Sequence, residues 1–145
     1  GSEFRRAYTV LGDAVNLGSR LEGLTKFYGV GLIVGEQTRA GQDGFLFRHL
    51  DRVQVKGKEE PVDIFEPVCR VEAADAALHE EIASHEAALA AYWARDWDKA
   101  RGLFEALAAA RPDIRVYHLY LERMDSIDPA TLPGDWDGVF RHTSK

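Results

Sequence analysis

Apolar residues recur at every second position along the first part of the chain and at every third or fourth along the second. The change falls near Val71 and predicts two regions, residues 1–70 and 71–145. In the first, Phe4 to Leu11 reads as an extended segment ending in a Gly12-Asp13 turn, and Asp13 is placed to cap a helix running to about Lys26. The stretch from Gly29 to Val34 reads as a strand bounded by Gly29 and Gly35. Phe45, Phe47 and His49 alternate with Leu46, Arg48 and Leu50, and Val53 and Val55 continue the period until Lys56-Gly57-Lys58 interrupts it. After Pro61, Val62 to Val68 reads as a last strand.

In the second region Leu78, Ile82, His85, Leu89 and Tyr92 share one helical face. A break follows at Arg95-Asp96, and Trp97, Ala100, Phe104 and Leu107 share the face of a second, antiparallel helix. Pro112 stops that helix, and Val116, Leu119, Tyr120 and Met124 predict a third, shorter one. Pro129, Pro133 and Gly134 make the remaining tail irregular, with Trp136 and Phe140 as anchors. The expected class is α/β (α+β), a partial sheet followed by a helical hairpin.

Composition narrows this picture. A chain of 145 residues can bury one modest core, or a small α/β piece with a helical appendage. Hydrophobic residues at 46% and charged residues at 29% are those of a globular chain that folds. A formal charge of -6 argues against a nucleic-acid reader, because phosphate recognition relies on a basic surface. The single cysteine, Cys69, has no partner for an internal disulfide and reads as a small buried apolar residue in a reducing, cytoplasmic setting. The apolar stretch from Val30 to Val34 is too short to span a bilayer, and the N-terminus has no signal-peptide core.

The stretch with the most chemistry runs from Tyr8 to Glu22. Asn16 and Arg20 are four apart, so one helix face presents an amide beside a guanidinium. An amide can hold a sugar oxygen, and a guanidinium can neutralise charge building on a phosphorus centre. Spacing alone also fits a solvated helix face, the commoner reading of such a pair.

The stretch resembles the dimerisation arm and following helix of class III nucleotidyl cyclases, carried here by Tyr8, Thr9, Gly12, Val15, Asn16 and Arg20. About forty residues on, Val55-Lys56-Gly57-Lys58 resembles that family's turn between two strands. The resemblance covers roughly Gly1 to Val68 and implies a partial ferredoxin-like cyclase sheet, the C-terminal part of a catalytic domain. It implies that Thr9 reads the purine edge with Val10 beside it, that Asn16 holds the ribose, that Arg20 stabilises the transition state and that Lys56 contacts the triphosphate. It also implies a homodimer joined through the arm around Phe4 to Asn16, with ATP as substrate and Mg2+ or Mn2+ as cofactor. The family's two metal-binding aspartates precede the arm; Asp13, Asp43 and Asp51 do not occupy their places, so no metal ligand is assigned and the chain alone is expected to be inactive. The alternatives are a guanylate cyclase, and a non-catalytic regulatory or interaction module built around the helix pair.

Ala88, Trp97, Ala100, Phe104, Leu107 and Pro112 follow the small-large spacing of one tetratricopeptide-like helix pair, and the tail resembles the segment after the catalytic domain of membrane-tethered bacterial adenylate cyclases. Such a pair cannot bury its own faces, so packing is its expected role, with peptide binding as the alternative. His79 and His85 are six apart, not the three or four that places two metal ligands on one face. Glu80, Glu81 and Glu86 read as a solvated face.

Overall fold

The computed structural model describes residues 24–54 and 60–141. The chain divides into two compact units, Gly1–Ala74 together with Phe140–Lys145, and Asp75–Val139.

The first unit is built on a mixed sheet of four described strands: β1 (Val34–Gly35), β2 (Phe45–Gln54), β3 (Val62–Arg70) and β4 (Phe140–Arg141), in the order β1-β3-β2-β4. β3 pairs antiparallel with both β1 and β2, and β4 adds parallel to β2. Helix α1 (Leu24–Tyr28) ends where Gly29 takes a positive φ of 71°, and Val30 N–H closes back onto the Thr25 carbonyl at 3.0 Å. That left-handed residue satisfies the last helical carbonyls at no steric cost. Helix α2 (Glu36–Ala40) carries an ion pair between Glu36 and Arg39 at 2.6 Å. The strand expected from Gly29 to Val34 is a correction. Gly29 is a helix terminator, and strand geometry begins only at Val34.

The long hairpin also departs from a simple period of two. Between His49 and Asp51 the ladder shifts, so that Leu50 is an extra residue on β2; between Leu46 and Phe47 it shifts the other way, and Val68 is the extra residue on β3. The two β-bulges cancel beyond their span. The first explains why adjacent Leu50 and Asp51 are both fully buried and why the buried phase passes from Arg48 and Leu50 to Asp51 and Val53. Pro67, which has no N–H for the ladder, sits next to the second bulge. The core gathers Tyr28, Ile33, Val34, Leu50, Val53 and Ile64.

The second unit holds α3 (Ala76–Trp93), α4 (Trp97–Ala110) and α5 (Arg115–Ser126). Asp75 caps α3 by accepting from Leu78 N–H at 2.8 Å, and Asp96 caps α4 by accepting from Lys99 N–H at 3.4 Å. Arg95 between them takes a left-handed φ of 65°, which reverses the chain. His85 of α3 lies against Phe104 of α4 and Tyr117 of α5, and Tyr92 of α3 against Tyr120 of α5; Ile82 and Leu89, on the same face of α3, are buried as well. Phe104 and Tyr120 stack at 4.8 Å, and each large side chain buried this way contributes about 1.5–3 kcal/mol. The tail is more ordered than its prolines suggest. Pro129–Thr131 forms a 3-10 turn, Trp136 packs against Tyr92 at 5.5 Å and Trp97 at 5.4 Å, and Phe140 enters β4. The α+β class expected from the sequence is observed. Cys69, expected to be buried, is partly exposed on β3 opposite Leu46.

Candidate functional site

Thr9, Val10, Asn16 and Arg20, with the arm from Phe4 to Asn16, lie outside the described residues, and so does Lys56. The structure does describe the β2–β3 hairpin that leads into and out of segment 55–59. Val53 pairs with Val62, and one step back Arg52 pairs with Asp63.

Polar side chains on the hairpin engage at three levels, the first and third across its two strands and the second from α1 to β2. Nearest the turn, the Asp63 carboxylate accepts from Arg52 Nε at 3.3 Å and lies 3.2 Å from His49 Nε2. His49 also stacks on Phe65 at 4.4 Å, and the Arg39 guanidinium lies 4.9 Å from the same ring. Burial lowers the His49 imidazole below its ordinary value of 6.5; Asp63 opposes that shift and Arg52 adds to it. At the second level, Tyr28 Oη donates to Asp51 Oδ2 at 2.6 Å, and Asp51 Oδ1 accepts from Arg52 N–H at 2.8 Å. At the third, the Arg48 guanidinium, 3% exposed, donates to Glu66 at 2.7 Å. Asp51 and Asp63 are thus engaged by protein donors. Among the described residues no group of three His, Cys, Asp or Glu is arranged to hold a metal ion, so no metal step is assigned to them.

A second polar centre lies in the helical unit. Glu81, expected on a solvated face, has a side chain only 11% exposed; it accepts from Tyr117 Oη at 2.6 Å and from Arg111 at 2.8 Å. Hydrogen bonding to Asp113, with the charge of Glu81, raises the Arg111 guanidinium above its ordinary value. His85 is fully buried between the rings of Phe104 and Tyr117. The sequence reading missed both centres. Asp63 and Arg52 are legible by counting outward from the turn, but Tyr117 lies 36 positions from Glu81 and no local signal joins them.

Comparison with known proteins finds similarity to adenylate cyclases over part of the chain. It is similar to an adenylate cyclase of Anabaena cylindrica, 45% identical over 62 residues, which is 40% of this chain and 12% of that protein. Adenylate cyclase 1 of Rhizobium meliloti (strain 1021) is 39% identical over 69 residues, 47% of this chain and 10% of that protein. The terminal-differentiation specific adenylate cyclase of Dictyostelium discoideum is 43% identical over 72 residues, 47% of this chain and 3% of that protein. The cyclase resemblance read from the motifs is therefore borne out, and the matches support a fragment of an adenylate cyclase catalytic domain. The chain matches about a tenth or less of the length of these relatives. No protein-family model matches the chain, and no solved structure matches it.

Proposed function

We propose that this chain contributes part of the catalytic domain of an adenylate cyclase, acting within a longer cytoplasmic protein that converts ATP to cyclic AMP and pyrophosphate. The observation that supports it most is the similarity to three adenylate cyclases over 62 to 72 residues, a span close to that of the cyclase-like motifs. In this reading Thr9 accepts from the exocyclic amine of adenine with Val10 beside it, and Asn16 hydrogen-bonds the ribose. Lys56 places a compact charge on the triphosphate, and Arg20 neutralises the charge that grows on the α-phosphate. The 3′-oxygen bonds to the α-phosphorus and loses its proton, while the α–β bridging bond breaks and releases pyrophosphate. Mg2+ or Mn2+ bound by residues outside this chain would supply activation of the 3′-hydroxyl and neutralisation of the leaving group. The arm around Phe4 to Asn16 joins two copies, so that one subunit offers Asn16 and Arg20 to a site whose metal carboxylates belong to the other. The helical unit follows as a tetratricopeptide-like tail.

The test is turnover of ATP and GTP by a longer protein that includes this chain. Arg20→Ala lowers kcat by about 100-fold or more with a smaller change in the KM for ATP, because a contact made in the transition state acts on the chemical step. Equal loss in substrate affinity makes Arg20 a positioning residue, and preferred turnover of GTP overturns the choice of substrate.

A further inference from the structure

Independently of the cyclase reading, we propose that the outer groove between α3 and α4 docks a basic amphipathic helix from a partner protein. The groove has a volume of about 610 Å³ and lies wholly within the helical unit. Its α4 wall is formed by Leu103, Ala106, Leu107 and Ala110, an i, i+3, i+4, i+7 stripe about two turns long. Its α3 wall includes Ala77, Leu78 and Ser84. Leu78 and Leu103 are only partly covered, and Ala77, Ala106 and Ala110 are exposed, so the floor is shallow enough for the apolar stripe of another helix to seat against it.

Charge selects the occupant. Asp75, Glu80 and Glu81 line the groove against one cation, Arg111, which is itself bridged to Glu81 at 2.8 Å and to Asp113 at 3.3 Å. The surrounding field has the same sign. From Asp75 to Val139 there are thirteen Asp and Glu against six Lys and Arg, a formal charge of -7, whereas the whole chain carries -6. The negative charge of the protein therefore belongs to this unit. A helix with apolar anchors at i, i+3, i+4 and i+7 and lysines or arginines flanking them matches both the stripe and its rim.

The experiment uses the full chain and two synthetic labelled helices with the same leucine stripe, one flanked by lysines and one by glutamates, followed by fluorescence anisotropy. The lysine helix binds at least about tenfold more tightly than the glutamate helix and weakens with added salt. Ala106→Arg combined with Glu80→Lys fills and reverses the groove at exposed positions and weakens the lysine helix about tenfold or more, with helical circular dichroism unchanged. Glu86→Lys, an exposed change on α3 outside the groove, leaves binding within about twofold. Equal binding of the two helices overturns the proposal, as does equal loss in Glu86→Lys and in the groove variant. A dimer of the chain that Ala106→Arg abolishes in sedimentation overturns it in favour of a second copy as the occupant.

Discussion

Gly138→Ala tests how the tail is held on the helical unit. Gly138 has a φ of 74° and lies against the Trp93 indole, so that a Cβ at this position would overlap Trp93 Cδ1. Two costs combine. An alanine in the left-handed region costs about 1–2 kcal/mol, and forcing a methyl into a filled site costs about 1–3 kcal/mol. The sum of about 2–5 kcal/mol is a large share of the roughly 3–10 kcal/mol available to a unit of this size. Gly134 provides the control, because a Cβ there meets nothing within 4 Å. All three tryptophans, Trp93, Trp97 and Trp136, lie in the helical unit, so their fluorescence during urea unfolding reports on this unit. Gly138→Ala is expected to lower the urea midpoint by about 1 M or more, and Gly134→Ala to leave it nearly unchanged. Adding Trp93→Ala to Gly138→Ala removes the clash but not the backbone cost, so the double variant compared with Trp93→Ala alone separates the two terms. Equal midpoints for the Gly138 and Gly134 variants would refute the reasoning.

Tyr117→Phe removes one donor to the Glu81 carboxylate, and with Arg111 still in place the expected loss is about 1–2 kcal/mol by the same fluorescence assay. An unchanged midpoint would show that the bond is not stabilising. His49 carries a pH dependence whose sign follows from its lowered value. Its contribution to stability is complete above 6.5, the unfolded value, and is lost as pH falls through the folded value. Nuclear magnetic resonance titration of the His49 ring is expected to give a midpoint below 6.5; a midpoint at or above it means that Asp63 outweighs burial.

The helical unit was legible because its determinants are local. Ile82, His85, Leu89 and Tyr92 keep one helical period, Asp96 caps the next helix, and Pro112 follows its end. The hairpin was legible as alternation around a polar turn, but its bulges were not, since an extra residue such as Leu50 is defined only by the partner strand it fails to pair with. Glu81 was misread for the same reason: a run of carboxylates says nothing about a tyrosine on another helix. The residues proposed for catalysis are the opposite case, because Asn16, Arg20 and Lys56 are visible only as motifs and lie outside the described residues.

The Arg48–Glu66 pair shows what the bulges require. Extending the ladder without bulges from Leu46 opposite Cys69 would set Arg48 opposite Pro67 and His49 opposite Glu66, and would turn Asp51 and Val53 away from Leu50. Only the bulged pairing brings Arg48 against Glu66 while keeping Leu50, Asp51 and Val53 buried together. A pair this covered gives little net stability, since desolvation offsets most of its attraction, but it penalises the unbulged register that separates it. Glu66→Ala, which leaves the covered guanidinium without this carboxylate, is expected to cost about 2–4 kcal/mol. Arg48→Met with Glu66→Leu is expected to cost less than about 1 kcal/mol but to release the register. Hydrogen exchange then distinguishes the two effects: faster exchange of β2 and β3 amides at nearly unchanged global stability is the result expected of the double variant. If it instead loses as much stability as Glu66→Ala and keeps amide protection uniform, the pair stabilises the sheet and does not select its register.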